Sequence, residues 1–255
     1  MIVLPTNAIH KGSIMIKAVI FDLDGTLIQT EVLKANSYAL AINQLTNGEV
    51  DEDKVLDIFN EFVGLSRQEV VEGLSKSFSK PLQKHLNIDG IGLIGKTLIE
   101  KRLHIYRNIL DDTQLLSKHF CSFTLGLFSR LYQDGFTVAL ATMSHLPEAK
   151  KVTETMGIYD KFNFVLTRDD VENGKPEPDI YLKAKNKLGL EANECLVIED
   201  SVNGIKAAQN AEMPVFAVTN VITRKSVHEG KLLEPHFIID DLDQLQNRVY
   251  SYITA

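Results

Sequence analysis

The stretch Lys17-Ala18-Val19-Ile20-Phe21-Asp22-Leu23-Asp24-Gly25-Thr26-Leu27 decides the fold of this chain. Its first half is apolar and β-branched, which is typical of a buried strand in a parallel sheet. Asp22 and Asp24 follow at the carboxyl end of that strand, the edge where open α/β sheets bind ligands. A bound cation is the usual compensation for carboxylates in such a place, so the pair predicts Mg²⁺ and chemistry on a phosphate. The alternative is a pair of acids that caps the next element, and the rest of the chain decides between the two.

The composition is that of a soluble globular protein. The chain has 255 residues, of which 44% are hydrophobic and 24% charged, and its formal net charge is −7. This charge argues against broad binding to nucleic acid or to an anionic membrane, but it leaves room for a small anionic substrate. No apolar run reaches the length of a membrane span. Cys121 and Cys195 fit no metal-ligand spacing and are expected to be reduced thiols. We therefore expect a cytoplasmic protein that is a monomer or a weak dimer.

The remaining apolar runs resemble the first and alternate with helical patterns. They lie at 137–142, 164–167, 195–200, 215–219 and 237–240, and the helical patterns between them at 147–156, 179–188 and 201–211. Alternation of strands and helices predicts a Rossmann-like, doubly wound parallel sheet, that is, an α/β fold.

The segment from residue 31 to residue 111 follows a different pattern. Apolar residues recur there at helical spacing and no convincing strand occurs. An all-helical block after the first strand of an α/β domain predicts an inserted cap. The predicted organisation is an extension over 1–13, an α/β core over 14–30 and 112–255, and a helical cap over 31–111. Met15, just before the first strand, is a candidate alternative start.

Several predicted strands end in polar residues, which a parallel sheet would bring to one edge. These are Asp22 and Asp24, Thr142 with Ser144 and His145 behind it, Lys175 in the loop after the third strand, and Glu199 with Asp200. Four carboxylates at one edge would repel one another without a cation. Hard oxygen ligands with no cluster of His and Cys favour Mg²⁺ over zinc.

These motifs together resemble the haloacid dehalogenase superfamily, in the phosphatase and β-phosphoglucomutase-like group that carries a helical cap after the first motif. The segment 22–26 resembles the family's first motif, Thr142 the second, Lys175 the third, and Glu199 with Asp200 the fourth. The resemblance runs from about residue 16 onward. Each motif alone is weak to moderate, but all four in order form a specific signal.

The resemblance implies a role for each core residue. Asp22 would attack phosphorus and form an aspartyl-phosphate, and Asp24 would serve first as general acid and then as general base. Lys175 would neutralise charge between the nucleophile and the phosphate, and Thr142 would hydrogen-bond a phosphoryl oxygen. The implied Mg²⁺ ligands are Asp22, the backbone carbonyl of Asp24, Asp200, and Glu199 directly or through water.

The cap is expected to select the substrate. Arg67, in the segment 64–69, stands where sugar-phosphate members of the family place an arginine, and it is a candidate for binding a second phosphate or an anionic tail. The other substrate-binding candidates are Arg102, Lys34, Ser144 and His145. Lys34 replaces a histidine typical of the mutases, which lowers the expectation of mutase activity.

These observations predict a Mg²⁺-dependent phosphatase that hydrolyses a small phosphorylated metabolite, with a sugar or polyol phosphate favoured. The first alternative is a β-phosphoglucomutase-like phosphomutase, which returns the phosphoryl group to a hydroxyl. The second is a non-catalytic binding protein on the same fold, which would have no need of both Asp22 and Asp24.

Overall fold

A computed structural model describes residues 15–62 and 67–254. Its centre is a six-stranded parallel sheet in the order β3-β2-β1-β4-β5-β6. The strands are β1 (Ala18–Phe21), β2 (Thr137–Ala141), β3 (Val165–Leu166), β4 (Cys195–Glu199), β5 (Val215–Val218) and β6 (Ile238–Ile239). The sheet order places β1 between β2 and β4, with helices on both faces. The prediction of a doubly wound parallel α/β fold is confirmed.

The strand register determines where the polar residues meet. Phe21 of β1 pairs with Leu140 of β2 and with Ile198 of β4. Because all three strands are parallel, the residues that follow these partners leave the sheet at the same edge and at the same level. This edge receives every strand-end residue that the sequence singled out.

Twelve α-helices connect and flank the strands within the described residues. They are α1 (Glu31–Leu45), α2 (Glu52–Phe59), α3 (Arg67–Ser77), α4 (Ser79–Leu86), α5 (Ile91–Asp111), α6 (Thr113–Ser117), α7 (Ser122–Gln133), α8 (Leu146–Thr155), α9 (Asp179–Leu188), α10 (Val202–Asn210), α11 (Arg224–Gly230) and α12 (Leu245–Ile253). Helices α1 to α5, which we call the cap segment, occupy the range 31–111 that the sequence assigned to a cap. The division into two domains stays a prediction, and the proposed extension at 1–13 lies outside the described residues.

Alternate residues of β1 pack on opposite faces of the sheet, as the pleat of a strand requires. Val19 and Phe21 face a cluster that includes Phe128 of α7, whereas Ala18 and Ile20 face a cluster that includes Ile180 of α9. Because both faces of β1 are covered, its sequence is a continuous apolar run rather than an alternating one. The cap segment has a third cluster of its own, with Leu74, Leu82, Ile94 and Leu98 fully buried.

The observed elements differ from the predicted ones mainly at their ends. The outer strands β3 and β6 have two residues each, whereas the sequence predicted four, because their flanking residues continue into turns and short 3₁₀ helices. The sequence analysis did not predict α4, α6, α7, α11 or α12. The described residues contain no helix that is both long and apolar enough to cross a membrane.

Phe128 tests the importance of the core beneath β1. Its ring contacts Phe21 and Phe162 edge-on, with centroids 5.6 and 5.0 Å apart. Truncation to alanine leaves a cavity, so we expect Phe128→Ala to lower the free energy of unfolding by about 3–5 kcal/mol. Urea denaturation followed by circular dichroism measures this. Phe123→Ala on the exposed face of the same helix is the control and should change it by less than about 0.5 kcal/mol. Equal losses in the two variants would contradict the packing described.

Candidate active site

A buried lysine joins the ends of β1 and β4. The Lys175 ammonium lies 2.6 Å from Oδ1 of Asp22 and 2.7 Å from Oε1 of Glu199, and it also donates to the backbone carbonyl of Ala141 at 3.0 Å. Its side chain is only 5% exposed. Lys175 belongs to the loop before α9, so its three donors tie that loop to the ends of β1, β2 and β4.

Burial and charge act in opposite directions on this group of residues. Burial raises the pKa of Asp22 to about 8 although Lys175 lowers it, since Glu199 and Asp24 add negative charge nearby. Burial alone would lower the pKa of Lys175, but the carboxylates of Asp22 and Glu199 hold it well above its usual value. The lysine is therefore charged, but this one cation does not keep both of its carboxyl partners ionised, because the raised pKa of Asp22 favours its protonated form in the free site.

Asp200 adds a third carboxylate to the same place. Its Oδ2 accepts a hydrogen bond of 3.0 Å from the side-chain amide of Asn220. Burial and the charges of Glu199 and Asp22 raise the pKa of Asp200 well above its usual value. A Cβ at Gly25, whose φ is +84°, would lie 2.0 Å from Oδ2 of Asp200, so only glycine leaves room for this carboxylate.

The three carboxylates fit a divalent cation. Asp22, Glu199 and Asp200 each offer an oxygen, and these oxygens lie within 4.8 Å of one another. The donor set is hard and entirely oxygen, which suits Mg²⁺. A bound cation would offset the repulsion among these three carboxylates, which Lys175 offsets only in part.

Glu199 already has partners for both of its oxygens. Oε1 accepts from Lys175 and, at 3.2 Å, from the buried hydroxyl of Tyr181, while Oε2 accepts from the backbone amides of Asp200 and Ser201 at 2.8 and 3.0 Å. Although burial raises its pKa, Lys175 and these hydrogen bonds hold the pKa of Glu199 below its usual range. The structure thus brings Glu199 into the acidic cluster as a firmly held anion.

Asp24 lies beside Asp22 in a different environment. Its Oδ2 accepts from the hydroxyl of Ser144 at 2.6 Å and from that of Thr142 at 3.4 Å, and its Oδ1 accepts from the hydroxyl of Thr30. Lys34 of the cap segment lies 3.1 Å from the same Oδ1. Burial raises the pKa of Asp24, but the charge of Lys34 and these hydrogen bonds outweigh it and lower the pKa below its usual value.

The remaining predicted site residues fall in different places. Lys34 forms an ion pair with Asp24, as described above. Arg67 begins α3, where its charge acts on both Tyr38 and Arg102. Arg102 is buried within the cap segment. His145 lies at the rim, where its Nδ1 is 2.5 Å from Oδ1 of Asp169. Of the segment 64–69, residues 64–66 lie outside the described part of the chain.

Three residues of this site did not emerge from the sequence as site residues: Asn220, Thr30 and Tyr181. Asn220 follows β5 and could have been found by the same strand-end rule that found Thr142. Thr30 directly precedes α1 and looks in the sequence like an ordinary helix cap. Tyr181 lies on α9 at a spacing typical of a core residue, and nothing in the sequence predicts its contact with Glu199.

A comparison with protein families decides what kind of protein this is. The model of the haloacid dehalogenase-like hydrolases matches residues 19–218. The chain belongs to this family. The resemblance that the motifs indicated is therefore confirmed, and the chain is a hydrolase of the haloacid dehalogenase type.

Curated and solved relatives agree with the family match. The β-phosphoglucomutase of Bacillus subtilis is 30% identical over 79% of this chain and 82% of its own length. The phosphoglycolate phosphatase of Salmonella typhi is 27% identical over 90% of this chain and 91% of its own. CbbY of Rhodobacter sphaeroides, in complex with xylulose-1,5-bisphosphate, superposes with a TM-score of 0.68 at 22% identity, over 91% of this chain and 96% of that one. The first two support phosphatase or phosphomutase chemistry on phosphorylated substrates, and the third shows a shared fold.

Metal binding can be tested without measuring turnover. If Mg²⁺ binds only the folded state, a concentration one hundred times its Kd stabilises the protein by about 2.7 kcal/mol, or roughly 5–10 °C in Tm at this size. We expect this shift for the wild type by differential scanning fluorimetry. Asp200→Asn should lose most of it, whereas Asp57→Asn on exposed α2 should retain it. An equal Mg²⁺ shift in Asp200→Asn and the wild type would rule out the proposed ligand set.

Gly204 offers a test of how tightly Glu199 is held. A Cβ there would lie 1.7 Å from Oε1 of Glu199, so Gly204→Ala must displace this carboxylate and with it Lys175. We expect phosphate release to fall at least tenfold, as measured by an enzyme-coupled phosphate assay, while the far-ultraviolet circular dichroism spectrum is unchanged. Gly92→Ala in α5 is the matched control, because a Cβ there meets no atom within 4 Å. Full activity of Gly204→Ala would contradict this geometry.

Proposed function

We propose that this chain is a Mg²⁺-dependent phosphatase that hydrolyses a small phosphorylated metabolite through an aspartyl-phosphate on Asp22. One observation carries the proposal: two adjacent carboxylates at the end of β1 have opposite environments. Asp22 lies against the Lys175 ammonium, whereas Asp24 lies among hydroxyl groups and Lys34. Burial raises the pKa of Asp22, whereas Lys34 and the hydroxyl groups lower that of Asp24. The proposed roles therefore require a bound cation that would hold Asp22 ionised and a substrate phosphate that would favour the protonated form of Asp24.

In the first half-reaction, an oxygen of the Asp22 carboxylate attacks phosphorus and the bond from phosphorus to the ester oxygen breaks. Asp24 donates a proton to the departing ester oxygen, which leaves as an alcohol. Lys175 offsets negative charge between the carboxylate and the incoming phosphate. The phosphate also adds negative charge beside Asp24, which favours the protonated form that this step requires.

In the second half-reaction, Asp24 acts as a base. It takes a proton from water while the water oxygen bonds to phosphorus and the bond from phosphorus to Asp22 breaks, which releases inorganic phosphate. Lys34, Ser144 and Thr30 favour the ionised form of Asp24 that accepts this proton. Thr142 and Ser144 lie where their hydroxyls can orient a phosphoryl oxygen.

The proposed metal ligands are Asp22, the backbone carbonyl of Asp24 and Asp200, with Glu199 held close by. Mg²⁺ bound there would neutralise charge on the phosphoryl group, which is the largest contribution to catalysis in most phosphoryl transfers. The acidic cluster and family membership support this assignment.

The substrate is proposed to be a small sugar or polyol phosphate whose leaving group extends toward the cap segment. Arg67 and Arg102 lie there, on α3 and α5, and interact electrostatically with each other. Ser144 and His145 lie in the core, in the loop between β2 and α8. The 30% sequence identity to a β-phosphoglucomutase makes a phosphomutase the second candidate. In that reaction a sugar hydroxyl replaces water in the second half-reaction.

A panel of phosphorylated metabolites tests the proposal. With Mg²⁺ present, we expect the wild type to release inorganic phosphate, most rapidly from a few sugar or polyol phosphates. Asp22→Asn removes the nucleophile and should lower kcat by roughly a thousandfold or more. Asp57→Asn, which also replaces a carboxylate by an amide, should leave kcat unchanged.

Two outcomes would overturn this proposal. Turnover by Asp22→Asn above the level of contaminating phosphatase would exclude Asp22 as the nucleophile. Phosphate release unaffected by excess EDTA would exclude the metal. Formation of a bisphosphate from a sugar 1-phosphate, without net release of phosphate, would identify the mutase instead.

A further inference from the structure

A further buried carboxylate lies outside the acidic cluster of Asp22, Glu199 and Asp200. Glu148, in the first turn of α8, is 8% exposed, and its Oε2 is buried with no hydrogen-bond partner among the described residues. The first turn of a helix tolerates a negative charge but does not supply the missing donor. A buried carboxylate oxygen without a donor is costly, because it has lost its water and gained nothing in return.

Arg102, whose charge acts on Glu148, also has no ion-pair partner among the described residues. Arg102 of α5 is 3% exposed, and its Nε donates to the hydroxyl of Ser37 at 2.9 Å. Its guanidinium lies over the rings of Tyr38 and Tyr106, 4.9 and 4.3 Å from their centroids. Within the part of the chain that the structure describes, no carboxylate lies within 4.0 Å of it. Most of its five N–H donors therefore have no anionic acceptor.

Arg102 and Glu148 bound the same region between the cap segment and the core. Helices α5 and α8 pack against each other, and the charges of the two side chains interact without forming an ion pair. Arg102 also borders the residues around Asp24, because its guanidinium stacks on Tyr106 at 4.3 Å. Burial raises the pKa of the Tyr106 phenol, and the nearby charges of Lys34 and Asp24 also act on it. Glu148 connects to the residues around Asp24 through the short loop from Thr142 and Ser144 to α8. Arg102 is thus one ring contact, and Glu148 one short loop, away from the residues around Asp24.

We propose that Arg102 and Glu148 form a two-sided subsite for a neutral, hydroxyl-bearing leaving group, which Arg102 binds as a donor and Glu148 as an acceptor. A hydroxyl both accepts and donates, so it satisfies both side chains at once. A carboxylate in the same position would satisfy Arg102 but would be repelled by Glu148. The subsite rests on the proposed phosphatase function and narrows its substrates to polyol or sugar phosphates over phosphorylated carboxylic acids.

Two matched pairs of ligands test this specificity. Glycerol 3-phosphate and 3-phosphoglycerate differ only by a hydroxymethyl group against a carboxylate, and so do glucitol 6-phosphate and 6-phosphogluconate. Each is titrated with Mg²⁺ present into the Asp22→Asn variant by isothermal calorimetry, so that no turnover occurs. We expect at least one pair to show a tenfold preference for the hydroxyl-bearing ligand.

The isosteric change Glu148→Gln, added to Asp22→Asn, should reduce this preference about tenfold. It weakens the hydrogen bond to the hydroxyl and removes the repulsion of the carboxylate. Glu154→Gln, at an exposed position of the same helix, is the control and should leave the preference intact. A preference unchanged by Glu148→Gln, a preference for the carboxylates, or no binding of any ligand would overturn the subsite.

Stability provides a second, independent measurement. Because Glu148 lacks a donor for Oε2, Glu148→Gln should give a ligand-free Tm at or above that of Glu154→Gln. A markedly lower Tm would show that the carboxylate is paired within the protein, which contradicts the subsite. If the binding preference is present but the wild type releases no phosphate from its preferred ligands, the subsite stands and the proposed phosphatase function fails.

Discussion

The ion pairs of Lys175 with Asp22 and Glu199 are the contacts on which the rest of the site depends. The two carboxylates come from β1 and β4, neighbouring strands whose register brings their ends to the same level. A buried ammonium is stable only where carboxylates surround it, and two buried carboxylates this close need a cation between them. The loop before α9 is therefore fixed to the sheet by charge, and removing Lys175 would leave both carboxylates without a cation.

Crowding at this sheet edge explains two of the glycines. Carboxylates from adjacent strand ends can converge only where the facing backbone has no side chain, and Gly25 and Gly204 provide that space for Asp200 and Glu199 respectively. The convergence brings three carboxyl groups to one lysine, and burial together with their mutual repulsion raises the pKa values of Asp22 and Asp200, so the free site does not hold all three of them ionised. That imbalance is the physical reason the edge suits a divalent cation and, with it, the anionic phosphate of a substrate.

The sequence predicted the core more completely than the cap. The buried parallel strands are long apolar runs, and the rule that their carboxyl ends share one edge was enough to assemble Asp22, Thr142 and Asp200. The rule says nothing about which residues outside the strands reach that edge. The contact of Lys34 with Asp24 depends on how α1 lies against the core, and the partner of Glu199 on α9 looks like an ordinary core tyrosine. Tertiary packing, which no local pattern encodes, decides both.

The acidic cluster and the region between α5 and α8 differ in how far their buried charges are satisfied. In the acidic cluster, Glu199 has a hydrogen-bond partner for each of its oxygens, so none of its oxygens needs a partner from a bound substrate. Between α5 and α8, by contrast, Oε2 of Glu148 has no partner among the described residues, and Arg102 donates through Nε to Ser37 without forming an ion pair with Glu148. A buried carboxylate oxygen without a donor reduces the stability of the free protein, and in the proposed subsite it would gain its hydrogen bond from a bound molecule. On this proposal, reactivity depends on the paired charges of the acidic cluster and selectivity on Arg102 and Glu148.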